Sequence, residues 1–138
     1  MSLAAHADAV LALLYAVPNL TVYPAQDNGP RVAPNGATPP YVTVHFAAQR
    51  PKDGRQTMRS TSMRVRIYAH CSGATDDSAR IVADLVAGAL LDSRPSIDGR
   101  SSCLISHETN QPPRPDESTG RLVSTLTEVY MFQSEAGR

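Results

Sequence analysis

Histidine and cysteine are the side chains of this chain that could bind a metal ion. Five of them fall in segments that read as strands, namely His45, His70, Cys71, Cys103 and His107. Paired strands could bring some of them together. However, the sequence has no Cys-x-x-Cys or His-x-x-x-His spacing, which most tetrahedral zinc sites show. The spacing therefore predicts no metal site, and the place of Cys71 on the apolar side of its strand favours core packing.

Nucleophilic catalysis has no sequence support either. The chain contains neither a Gly-x-Ser-x-Gly elbow nor a Gly-x-x-x-x-Gly-Lys-Ser/Thr phosphate loop. Asp76 and Asp77 could resemble an acid/base pair, but they stand at the start of a helix, where carboxylates favour the positive end of the helix dipole. We therefore predict no enzyme, no catalytic residue and no cofactor.

One segment concentrates positive charge in a chain that is neutral overall. The chain has 13 basic and 13 acidic residues, which argues against a general polyanion-binding protein. The segment is residues 50–66, and its one acidic residue is Asp53. Its six basic residues are Arg50, Lys52, Arg55, Arg59, Arg64 and Arg66. Such an arm could simply be solvated, or it could meet an acidic partner surface or DNA passing nearby. Its tip has no aromatic side chain, so binding of single-stranded nucleic acid is not favoured.

Length and composition predict a single domain over residues 1–138 that lies in a reducing cytoplasm. The chain is 41% hydrophobic and 19% charged, within the globular range. Two cysteines are few for a secreted domain of this size. The apolar N-terminal run lacks a basic n-region and is interrupted by Asp8, and no stretch approaches the roughly 20 apolar residues of a membrane helix. We therefore expect no signal peptide and no membrane contact.

Hydrophobic periodicity indicates two helices. Residues 3–16 place apolar side chains at alternating spacings of three and four, and Pro18 ends the segment. Residues 75–91 show a broad apolar face, with Thr75 as the expected N-cap.

The remaining chain reads as strands and loops. Strands are expected at 20–24, 41–47, 60–71, 101–108 and 121–133. Strand 60–71 alternates, with Met63, Val65, Ile67, Ala69 and Cys71 on one face and Ser62, Arg64, Arg66, Tyr68 and His70 on the other. The expected loops are 25–40, a hairpin tip at 48–58, and residues 109–120, whose three prolines and one glycine predict no regular structure. The last five residues are expected to fray. This order predicts an α+β fold, with an antiparallel sheet of four to five strands and two helices packed on one face.

Several segments in this order give the chain a family likeness. These are "NLTVYPA", "PPYVTVHF", "STSMRVRIYAHC", "SGATDDSARIVADLVAGAL" and "RLVSTLTEVYMF". Each segment alone is a weak signal, but together they span nearly the whole chain. In this arrangement the chain resembles the tail terminator, or tail completion, proteins of long-tailed bacteriophages.

The resemblance implies a structural role in the virion. Proteins of this family form a hexameric ring on the last ring of the tail tube, stop its polymerisation and offer a joining surface to the head connector. The implied partners are further copies of the chain, the tail tube protein and the head–tail connector protein, with DNA passing transiently through the lumen. The implied location is the head-proximal end of the tail, after assembly in the host cytoplasm. The six basic residues would then contact a partner or the lumen. The alternatives are a head–tail connector component, a tail tube subunit or, less favoured, a small enzyme.

Overall fold

The computed structural model describes residues 3–18, 20–24, 40–49, 63–73, 75–116 and 123–136. These residues form two helices and six strands. The elements in chain order are α1 (Leu3–Tyr15), β1 (Val22–Pro24), β2 (Tyr41–Gln49), β3 (Met63–Gly73), α2 (Asp76–Leu90), β4 (Arg100–Ser102), β5 (Ser106–Asp116) and β6 (Val123–Ala136).

The strands form one sheet in the order β1-β2-β3-β6-β4, with β5 also pairing with β6. Strands β2 to β6 pair in antiparallel fashion. The three-residue strand β1 lies parallel to β2 at the edge of the sheet. The predicted α+β fold, an antiparallel sheet of four to five strands with two helices, is confirmed, since β2 to β6 are five strands that pair in antiparallel fashion.

The core lies between the sheet and the helices. Alternate side chains of β3 are completely buried and face the helices, because successive strand residues point to opposite faces. They belong to the same hydrophobic cluster as Val10 and Leu14 of α1 and as Val82, Val86 and Leu90 of α2. Both helices therefore pack on one face of the sheet, as predicted.

The second helix begins where the sequence places its cap. Thr75 has extended backbone angles, and its Oγ1 accepts a hydrogen bond from the Ser78 backbone N–H at 3.1 Å. Asp76 and Asp77 occupy the first turn. The cap satisfies one of the free N–H groups of the helix start, and such caps typically contribute about 1 kcal/mol.

The final residues are more ordered than predicted. Strand β6 continues to Ala136, and Ser134 is completely buried. Its hydroxyl lies 2.6 Å from His6 Nε2 and accepts a hydrogen bond from Arg100 Nε at 3.0 Å. The prediction of fraying was wrong for residues 134–136, because β4 and the buried histidine of α1 hold them.

The segment 109–120, predicted to lack regular structure, contributes to β5 as far as Asp116. The strand tolerates three prolines because it pairs on one side with β6 and the ladder is interrupted around two of them. Pro112 and Pro113 lie in the register shift between Gln111 and Arg114. A proline without a backbone N–H costs least at an edge or a bulge.

The strand predicted at 101–108 is divided into β4 and β5. The chain between them turns towards the loop after α2, where the Ile105 backbone N–H bonds to Ser93 O and its carbonyl accepts from Asp92 N–H. Ile105 is only 1% exposed and joins the core. At this turn the backbone of Ile105 bonds to the loop after α2 instead of to a neighbouring strand, and its side chain is buried.

Candidate interaction surface

The face of the sheet opposite the helices carries polar side chains along β3. Arg64 is exposed, and Arg66, Tyr68 and His70 are half-buried. In the described part of the chain neither helix covers this face. The sequence predicted this division of β3, because an alternating strand with one apolar and one polar side buries only the apolar side. We call this side the open face.

Of the six basic residues predicted to contact a partner or the lumen, the open face shows two. Arg64 is exposed, and within the described residues it has no ion-pair partner. Arg66 makes two contacts with Glu108 of β5, Nε to Oε2 and Nη2 to Oε1, both at 3.1 Å. The positive charge of Arg66 is therefore offset within the chain. Arg50, Lys52, Arg55 and Arg59 lie outside the described residues.

Glu108 could not be assigned to the open face from its sequence. A register shift occurs between His107 and Thr109 in the pairing of β5 with β6. The pairing puts His107 on the helix side and its neighbour Glu108 on the open face, where Glu108 reaches across β6 to Arg66. Only the pairing of β5, β6 and β3 brings Glu108 within reach of Arg66, and local sequence does not carry that pairing.

Two histidines meet on the open face. The His45 and His70 rings stand edge to face with centroids 5.2 Å apart. The Nδ1 atom of His70 lies 3.0 Å from Thr127 Oγ1 on β6. Burial lowers the pKa of His70, and the neighbouring His45 lowers it further. The lowered pKa therefore favours the neutral form of His70 more than that of an exposed histidine.

A carboxylate lies on the helix side of the sheet, where the sequence predicts apolar groups. Glu128 pairs with Ala69 of β3, and its side chain is 13% exposed. Its Oε2 lies 2.5 Å from His107 Nε2, and the His107 ring stands edge to face with Tyr130. Burial and then the charge of Glu128 raise the pKa of Tyr130. Nothing in the sequence marks Glu128 as a buried group, because only strand pairing places it opposite Ala69.

The two cysteines differ in environment. Cys71 is completely buried, whereas Cys103 is exposed, and both are free thiols. Burial raises the pKa of Cys71 to about 12, with a smaller contribution from Glu128. Core packing was predicted for Cys71 and is confirmed.

This difference predicts selective thiol chemistry. The thiolate is the reactive form, so at about pH 8 a thiol-specific reagent should label Cys103 readily and leave Cys71 unlabelled in the folded chain. Counting labelled thiols by mass spectrometry before and after adding denaturant checks this. The Cys103→Ser variant should remain unlabelled until it unfolds. Equal labelling rates for both thiols in the folded protein would contradict the burial of Cys71.

Among the described residues, no group of three or more His, Cys, Asp or Glu side chains is placed to hold a metal ion. In the same part of the chain, neither helix is long and apolar enough to cross a membrane.

Comparisons with known proteins give a consistent result. A family model described as "Tail completion protein gp17" matches residues 8–127. A chain of the solved structure "Virion of native gene transfer agent (GTA) particle" is similar with a TM-score of 0.57 and 17% identity, over 92% of this chain and 84% of that one. A second solved structure, which carries no functional description, is similar with a TM-score of 0.61 and 14% identity, over 100% and 99% of the two chains. At these identities the structural likenesses show the fold alone. No curated protein matches the chain.

Proposed function

Because this chain belongs to the tail completion protein gp17 family, we propose that it is a structural protein of the phage tail that caps the tail tube as a ring. In this role it stops tube polymerisation and forms the joining surface for the head connector. The observation that carries the proposal is the family match, which covers most of the chain. The fold shared with a chain of a gene transfer agent virion supports it.

The two layers of the fold offer the surfaces that a ring requires. A head-to-tail ring uses two different patches on each subunit. The open face presents Arg64 and His45 as exposed groups, whereas the helix layer exposes the carboxylates of Asp8 and Asp84. Opposite charge on opposite layers favours contact between the helix layer of one copy and the open face of the next. Six copies would close the ring, and DNA would pass through its lumen.

The basic arm gives a second contact region. Arg50, Lys52, Arg55 and Arg59 follow β2 directly in the chain. We place this arm against the tail tube or the connector, and Arg64 beside the lumen or a neighbouring copy. Arg66 is a weaker candidate than the sequence suggested, because Glu108 offsets its charge. In this function the chain performs no catalysis and needs no cofactor, and its final location is the head-proximal end of the tail.

The proposal predicts how the purified chain behaves with tail tubes. Native mass spectrometry and negative-stain imaging should show closed rings of about six subunits, free or at tube ends. Adding the chain during polymerisation of the cognate tube protein should shorten the tubes and place one ring at an end. The Arg64→Glu variant should form fewer rings, because it reverses charge on the open face.

The matched control is Arg94→Glu, which makes the same change at an exposed position in the loop after α2, outside the open face and outside both helices. That variant should keep the open face intact and form rings like the unmodified chain. Long tubes formed by the chain alone would instead identify a tube subunit. Binding to the head connector with no effect on tubes would identify a connector component. A chain that binds neither would remove the proposal.

A further inference from the structure

We propose that His45 and His70 form a two-histidine binding site for a divalent late transition-metal ion such as Zn²⁺. The two residues come from neighbouring antiparallel strands, and the register places Thr43 opposite His70 and His45 opposite Tyr68. The histidines are therefore diagonal neighbours on the open face, a separation that long side chains span. The proposal does not depend on the function proposed above.

The spacing of the rings suits a shared ion. Zinc is bound by imidazole nitrogens at roughly 2.0–2.1 Å, so two rings that share an ion must lie within a few ångströms of each other. The observed centroid separation is 5.2 Å. His45 is exposed, and in the described part of the chain no hydrogen bond holds its ring, so it can turn towards His70.

The hydrogen bond to Thr127 prepares His70 as a ligand. Histidines that bind metals commonly donate their other ring N–H to an oxygen atom, which fixes the tautomer. When His70 Nδ1 donates to Thr127 Oγ1, Nε2 carries the lone pair. Thr127 lies on β6, and β2 lies on the other side of β3. Because the two ring nitrogens point in diverging directions, Nε2 is directed to the side where His45 stands.

The electrostatic surroundings permit a cation. Among the described side chains of β2 and β3, the charged groups on the open face are Arg66 and, one step further along β3, Arg64. Glu108 offsets the charge of Arg66. Two protein ligands leave further coordination positions for water, and the expected affinity is accordingly modest.

The test uses Zn²⁺ alone with the full chain in a Cys103→Ser background, which removes the exposed thiol as a competing ligand. Isothermal titration calorimetry at neutral pH should show one Zn²⁺ per chain. Removal of an outer-sphere partner typically weakens metal binding by about 10–100-fold, and removal of a ligand should cost at least as much. His45→Ala and His70→Ala should therefore lose about tenfold or more in affinity, and Thr127→Val should lose about 10–100-fold.

The matched control is His107→Ala, an exposed histidine on the other side of the sheet whose Nε2 already contacts Glu128. Its affinity should equal that of the background. Nitrogen NMR should show His70 with its proton on Nδ1, and Zn²⁺ should shift the Nε2 resonances of His45 and His70. At about pH 5 protons should displace the ion. Absence of saturable binding, or loss of binding in His107→Ala with retention in His45→Ala and His70→Ala, would overturn the proposal.

Discussion

Replacing Phe132 with alanine is expected to lower the free energy of unfolding by about 3–5 kcal/mol. Phe132 is 1% exposed on the helix side of β6, opposite Val65 of β3. The ring of the buried His6 stacks on it with centroids 6.1 Å apart. Truncation removes the apolar contacts of the ring and leaves a cavity beneath α1, which close-packed neighbours fill only in part. Equilibrium denaturation monitored by circular dichroism measures the loss.

The effect is large relative to the stability of a typical domain, which is about 5–15 kcal/mol. The control is Tyr15→Ala, which removes an aromatic ring that is 57% exposed at the end of α1. That change should alter the free energy of unfolding by no more than about 0.5 kcal/mol. Equal losses in the two variants would show that the helices do not cover this face of the sheet.

The second large effect is expected at Gly73, where β3 ends against the start of α2. A Cβ atom at this position would lie 2.5 Å from Ser78 Cβ and 3.1 Å from the backbone nitrogen of Ala79. The first contact is too short for any packed structure, and the second involves helix backbone that cannot rotate away. Gly73→Ala should therefore destabilise the protein by about 1–3 kcal/mol, the usual cost of overpacking. Thermal and chemical denaturation measure the change.

Gly88, in the interior of α2, provides the opposite case. A Cβ atom added there meets no heavy atom within 4 Å. Since glycine in a helix interior is less favourable than alanine, Gly88→Ala should stabilise the protein by about 0.5–1 kcal/mol. The two glycine substitutions therefore have opposite expected signs. A destabilisation of similar size at both positions would contradict the close approach of β3 and α2.

These experiments separate folding from assembly. The Phe132 and Gly73 variants act through the core, whereas Arg64→Glu changes an exposed group on the open face. A loss of rings in the Arg64 variant at unchanged stability would therefore report on contacts between molecules. The same logic applies to His45, which is exposed and can be replaced without opening a cavity.

Periodicity alone determined much of this fold. The alternation along residues 63–71 predicted which side of β3 is buried, and the cap and acidic first turn predicted where α2 begins. These predictions succeed because they depend on neighbours within a few residues, whose side chains share a face in any strand or helix. The order of elements predicted the α+β class. The segments found in that order gave the chain its resemblance to the family.

Tertiary structure decided everything that depends on strand register and on edges. The three prolines of β5 are acceptable because that strand pairs on one side and is irregular. Glu108 meets Arg66, Glu128 lies beside Ala69, and His45 meets His70 because pairing aligns residues that are far apart in the chain. A one-residue change of register would move each of these side chains to the other face. Local sequence carries the period of a strand but not its partner, and the partner determines which side chains can act together.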